Sequence, residues 1–165
     1  MKSVQQLLGD PSIFLQNISD QLEAKKINVT DYELDHICYR VSSLDRYHEL
    51  KKTLNEFGDL LIESKINGRA ISTFRLNNSI GFKGREIWCL ELPAPKSGSN
   101  YQEGFEHVEF VISEPLEDFL LRFPNIDFDL KGLSKKVNSD VRIKFGDLSV
   151  KFHRQSLEYV IKHLD

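Results

Sequence analysis

The chain is expected to fold as an α+β domain in which the order β-α-β-β-β occurs twice, and three features of the sequence predict this. The segment Asp35-His36-Ile37-Cys38-Tyr39-Arg40-Val41 lies over Glu106-His107-Val108-Glu109-Phe110-Val111, in each case an acidic residue, a His and an alternating apolar run. The later strands of the halves also correspond, Ile87-Trp88-Cys89-Leu90-Glu91-Leu92 with Ser149-Val150-Lys151-Phe152-His153, each carrying a metal-ligand type near its end. Between the halves, Pro93-Ala94-Pro95-Lys96-Ser97-Gly98-Ser99-Asn100 is rich in the residues that stop strands and turn chains.

The elements follow in order. Residues 3–26 read as helical, interrupted at Gly9, with Asp10 as N-cap and Pro11 at the first position of a second helix. Ile13, Phe14, Ile18 and Leu22 recur at helical spacing and are expected to pack on the first half. The first half reads as strand 32–42, helix 44–57 and strands 59–66, 70–77 and 85–92. Leu44, Tyr47, Leu50, Leu54 and Phe57 form the inner stripe of that helix, Gly58 suits its stop, and Asn67-Gly68 marks a hairpin turn. The second half reads as strand 105–112, helix 115–123, a strand near 127–133, and strands 140–146 and 148–153 with a turn at Gly146-Asp147. Ser156 is placed to cap a last helix over 157–163. The resulting division is a helical extension (1–30), a first module (31–95), a linker (96–104) and a second module with its C-terminal helix (105–165).

Size and charge bound the function. A chain of 165 residues with 40% hydrophobic residues and eleven Phe can bury a real core. A net charge of −3 and a pI near 6.0 supply no field for a phosphate backbone, and Lys131, Lys135 and Lys136 read as a solvated loop, so no nucleic-acid partner is expected. No secretory pattern and no apolar run of membrane-spanning length occurs, so a soluble, cytoplasmic protein without a membrane partner is expected, as a monomer or homodimer. The two cysteines, Cys38 and Cys89, each sit two residues from a proposed ligand and are expected to be buried and reduced; the sharper alternative sets one of them beside a metal.

Successive strand side chains point to opposite faces, so His36 shares a face with Cys38 and Arg40, His107 with Glu109, and Glu91 with Cys89. Helices would cover the apolar faces, and the polar faces would curve together into a cleft where His36, Glu91, His107 and His153 meet. Imidazole nitrogen with carboxylate oxygen suits Zn, Fe, Mn or Ni, and the sequence does not rank these divalent ions. Glu109, on the face of His107, is a candidate general base or an alternative ligand, against the plainer reading of a charge paired with Arg40 or Lys151. Arg40 and Arg69 are candidate anchors for an anionic substrate, against the plainer reading of an ion pair and an exposed hairpin tip. His48 and His163 are expected at the surface.

Asp35-His36, Ile66-Asn67-Gly68-Arg69, Glu91-Leu92-Pro93, Gly104-Phe105-Glu106-His107 and Lys151-Phe152-His153, taken in this order, resemble the YecM family of the vicinal oxygen chelate superfamily, which includes glyoxalase I and extradiol dioxygenases. The resemblance implies a cup-shaped, partly open mixed β-barrel built from paired modules, holding a divalent metal that binds two adjacent oxygens of a substrate. It aligns His36 and His107 with the superfamily's first-strand ligands and Glu91 with its last-strand carboxylate. His153 departs from the pattern, since a Glu is usual there. The expectation is a metal-binding protein acting on a small, anionic, oxygen-rich metabolite as an isomerase, lyase or dioxygenase; the alternative is a module that binds a metal or small ligand in the same cleft without turnover, and a third reading makes the halves a plain scaffold.

Overall fold

The described residues, 2–164 of a computed structural model, place seven strands in one open mixed sheet. They are β1 (Glu33–Arg40), β2 (Gly58–Ile66), β3 (Arg69–Phe82), β4 (Arg85–Pro93), β5 (Gly104–Val111), β6 (Asp140–Phe145) and β7 (Leu148–His153). The helices are α1 (Val4–Leu8), α2 (Ser12–Ala24), α3 (Leu44–Leu54), α4 (Leu116–Arg122) and α5 (Leu157–Lys162), with a 3-10 turn at Lys131–Ser134. The spatial order is β2-β3-β4-β1-β5-β7-β6. In each half the first strand lies parallel to the last, β1 beside β4 and β5 beside β7, and the halves join through the antiparallel pair β1–β5. The two histidine-bearing strands are therefore direct neighbours at the centre of the sheet.

One face of the sheet is apolar and helix-covered. The helix α3 buries Tyr47, Leu50 and Leu54, and Ser43 caps it by accepting the Arg46 N–H. On the other half Phe119 of α4 packs 4.7 Å, ring centre to ring centre, from Phe152 of β7, over a layer that includes Val108, Val141 and Val150. Burying this layer drives the fold and turns the opposite, polar face into the cleft. Hairpin turns hold the registers: Asn67 and Gly68, and again Lys83 and Gly84, have positive φ at both central positions, the geometry that matches strand twist.

Three local expectations are corrected. First, Ile13 is 86% exposed; the inner stripe of α2 is Leu15, Ile18 and Leu22, and Ile13 lies about 200° around the helix from Leu15. Second, α2 packs on the second half, with Phe14 stacked on Phe105 of β5 and Lys25 over Phe145 of β6. Apolar spacing selects the buried face of a helix but carries no information about which half receives it. Third, the strand expected near 127–133 shrinks to a single bridge, Asp129 with Arg142, followed by the 3-10 turn. Asp129 accepts the Lys131 N–H with its own side chain, a local turn that competes with a β ladder. Smaller shifts occur elsewhere: α2 begins one residue later than expected, with Pro11 supplying the first helical carbonyl while Asp10 accepts the Ser12 N–H.

Candidate metal centre

Two β-bulges build the site. In the β1–β5 ladder Leu34 faces Phe110 and His36 faces Glu109, which leaves Asp35 as an extra residue; further along, Cys38 faces His107 and Tyr39 faces Phe105, which leaves Glu106 as an extra residue on the other strand. A regular strand would aim consecutive side chains at opposite faces. The bulge lets each carboxylate reach the imidazole that follows it. Asp35 Oδ2 lies 2.8 Å from His36 Nδ1, and Glu106 Oε2 is hydrogen-bonded to His107 Nδ1. With Nδ1–H donating to a carboxylate, both Nε2 atoms are left to face the cleft, the arrangement that second-sphere carboxylates impose on metal-binding histidines.

The Nε2 atoms converge on Glu109 and Glu91. Glu109 Oε2 is 2.7 Å from His36 Nε2 and 3.1 Å from His107 Nε2. Glu91 Oε2 is 3.7 Å from His36 Nε2, and Glu91 Oε1 is 3.9 Å from His107 Nε2. One donor atom from each of His36, Glu91, His107 and Glu109 lies within 4.8 Å of the other three. Donors about 2.1 Å from a common ion stand about 3 to 4 Å apart, so two imidazole nitrogens and two carboxylate oxygens fit one divalent cation.

The electrostatics agree with that donor set. Burial alone would push the His36 imidazole down, but the charge of Glu109 and the hydrogen bonds to Asp35 and Glu109 hold it well above its ordinary value. Burial also opposes charge on His107, and Cys38, Glu106 and Glu109 together hold it well above the usual range. Glu109, which burial would push up, is held well below the carboxylate range by His36, Lys151 and His107. Protons on the imidazoles thus balance the buried carboxylate, and a cation would displace them.

His153 stands to one side. Its Nδ1 is 3.1 Å from the Asn138 amide nitrogen, which makes Nδ1 an acceptor and places the proton on Nε2. Nε2 lies 3.1 Å from Asp35 Oδ2, at an angle that makes the contact electrostatic rather than a directed hydrogen bond. Burial would raise the Asp35 carboxyl, but His153 and His36 hold it at about 2. His153 therefore shares Asp35 with His36, while its own Nδ1 is 3.4 Å from Glu109 Oε1.

The cleft around these groups has a volume of about 1000 Å³. Arg40 and Arg69 both line it, away from the imidazoles: each is four residues, about 13 Å of strand, from His36 and from Thr73, the residue opposite Glu91. Arg40 lies over the Tyr101 ring and donates to the Gln102 carbonyl, and Arg69 donates to the Ala94 carbonyl. Asp35, His36 and His153 form a second close cluster of donor atoms and Cys38, Glu106 and His107 a third; both cysteines are free and buried, and burial pushes the Cys89 thiol up to about 12. His48 and His163 are exposed.

Sequence reasoning quoted Asp35 and Glu106 as part of a repeat but gave them no role, because a bulge is not visible in a strand pattern. It also missed α5 as a wall. Leu157, Val160, Ile161 and Leu164 line the cleft, and Glu158 pairs with Arg75 of β3 at 2.7 Å. The signal was the helical spacing of those four apolar residues beside a short, otherwise polar terminus.

Solved structures share this architecture. Structural-genomics Protein EC4020 superimposes with a TM-score of 0.84 at 24% identity, over 100% of this chain and 98% of that one. A Streptomyces coelicolor methylmalonyl-CoA epimerase in complex with 2-nitronate-propionyl-CoA superimposes with a TM-score of 0.52 at 15% identity, over 76% of this chain and 97% of that one. These likenesses show a shared fold. Among curated proteins, Protein YecM of Escherichia coli is 25% identical over 176 residues, covering 96% of this chain and 92% of that protein. An uncharacterized protein of Haemophilus influenzae is 29% identical over 136 residues, covering 80% of this chain and 71% of that protein. The YecM protein family matches residues 3–163, nearly the full length, and the chain belongs to that family.

Proposed function

We propose that this protein binds a divalent metal ion through His36, Glu91, His107 and Glu109 and takes a small anionic, oxygen-rich metabolite in the adjoining cleft. The observation that carries the reading is the convergence of four donor atoms within 4.8 Å of one another, with both histidines oriented from behind by carboxylates. When bound, such an ion supplies a Lewis acid for paired substrate oxygens. His36 and His107 present Nε2, Asp35 and Glu106 hold their tautomers, and α5 covers one side of the cleft against water. Arg40 and Arg69 line its outer end, where they suit the far part of an anionic ligand.

The test is elemental analysis of protein purified without tag or chelator, beside the His36→Ala/His107→Ala double variant. About one ion per chain, lost in the variant, is the expected result. Wild-type protein without metal even after reconstitution would sink the proposal.

Enzymatic and non-catalytic readings share this site. A neighbour in fold is an epimerase, which makes isomerisation at a carbon beside a carbonyl the reaction to assay first. In that reading Glu109 is the proton acceptor, and Glu109→Gln keeps the metal while losing turnover. The position of Glu109 between both Nε2 atoms favours a ligand role, in which the same variant loses metal affinity.

A further inference from the structure

The cleft is a cationic enclave in an acidic chain. Nine Lys and Arg residues line it against five Asp and Glu, although the chain carries a net charge of −3. Several of these cations are already engaged: Lys135 pairs with Asp140, and Lys144 with Asp129 at 3.3 Å. Of those on β6 and β7, Arg142 and Lys151 lack a close carboxylate. Among the described residues Arg142 has no ion-pair partner, and the nearest carboxylate to Lys151 Nζ is Glu109 Oε2 at 4.0 Å.

The sheet register puts these two beside the donor cluster. Glu109 of β5 faces Lys151 of β7, and Lys151 faces Arg142 of β6, so the three form one row across the sheet. Adjacent strands are about 4.8 Å apart, so Lys151 and Arg142 stand one and two strand widths from Glu109, far nearer than Arg40 or Arg69. The Lys151 side chain is only 14% exposed, and like charges directly opposite each other on neighbouring strands repel. An anion between them relieves both. Two positions before Lys151 on the same face, the buried Ser149 hydroxyl also lacks a hydrogen-bond partner among the described residues.

We propose that Lys151 and Arg142 form an oxyanion subsite that receives a phosphate or carboxylate group of the ligand. Together with the donor cluster it selects a compact metabolite with two poles, a pair of chelating oxygens and an anionic group about 5 to 10 Å away. The substrate class rests on the metal-site reading above; the anion subsite itself does not require a metal.

The experiment titrates inorganic phosphate and, separately, acetate into chelator-treated full-length protein, following amide shifts by NMR. Saturable binding is expected in the wild type and in K144Q. It should weaken about tenfold or more in R142Q and K151Q and persist in K151R, with melting curves confirming that each variant is folded. The anion bound more tightly identifies the group the subsite takes. No saturable binding of either anion overturns the subsite, as does equal weakening in K144Q, the signature of a diffuse positive surface. Metal uptake by the wild type is measured separately, so failure of the metal reading leaves a different pattern.

Discussion

Asp35 and Glu106 are the two bulged residues of the central β1–β5 pair, and each binds Nδ1 of the histidine that follows it. Two irregularities at equivalent points of the duplicated halves thus solve one geometric problem, how a carboxylate can orient its own sequence neighbour on a strand. Removing the charge while keeping the shape isolates this role. Asp35→Asn and Glu106→Gln are each expected to lower metal affinity about 10- to 100-fold without changing the number of ions bound. Competition against a chromogenic chelator measures this; unchanged affinity in both would mean that the bulges serve the fold alone.

Of the two residues, Glu109 is placed closer than His153 to both cleft-facing imidazoles, in line with the alternative ligand role the sequence allowed it. His153 Nδ1 is engaged by Asn138 and its Nε2 faces Asp35, whereas Glu109 stands between the two cleft-facing imidazoles. His153→Ala is therefore expected to retain bound metal with a modest loss of affinity, and Glu109→Ala to lose it. Metal analysis of the two variants side by side checks the order, and the reverse order would restore His153 as a ligand.

Much of this was legible in the sequence, and the rest was hidden for physical reasons. The duplicated His-bearing strands were readable because a half-buried strand must alternate, so His36 and His107 could be placed on the polar face before any coordinates. The meeting of His36, Glu91 and His107 followed from the equivalence of the halves. Asp35 and Glu106 were not assigned because a bulge leaves no periodic trace, and α5 shows an apolar spacing that does not say which surface it covers. The false strand near 127–133 had the reverse cause: Ile126, Phe128 and Leu130 alternate like a strand, but Asp129 closes a local turn and the chain leaves the ladder.

Gly58 shows how a correct residue can carry a different reason. Its place after α3 suggested a helix stop, yet it begins β2, and a Cβ there would stand 2.3 Å from the Arg75 carbonyl oxygen. The backbones of β2 and β3 are too close for any side chain, and the contact is with main chain that cannot swing aside. Gly58→Ala is expected to destabilise the protein by about 2 kcal/mol or more, as overpacking does. Urea unfolding checks this, and a variant as stable as wild type would show that the strands can part freely.

Tyr39 and Tyr47 should make the fold sensitive to alkali. Burial first, and then a hydrogen bond to Glu103 or Glu63, pushes each phenol from its usual 10.0 up to about 12. The hydroxyl of Tyr47 donates to Glu63 at 2.6 Å beside Ser72, and that of Tyr39 donates to Glu103 at 2.9 Å. Raised folded values mean that the unfolded chain loses these protons first, so the stabilisation is complete below pH 10 and is lost as pH rises towards 12. The expected result is a melting temperature that falls across that interval, and a Tyr39→Phe/Tyr47→Phe variant that falls less steeply from a starting stability lower by about 1 kcal/mol per hydroxyl. Melting curves paired with phenolate absorbance measure both at once. Equal slopes in the two proteins would assign the alkaline loss to other groups.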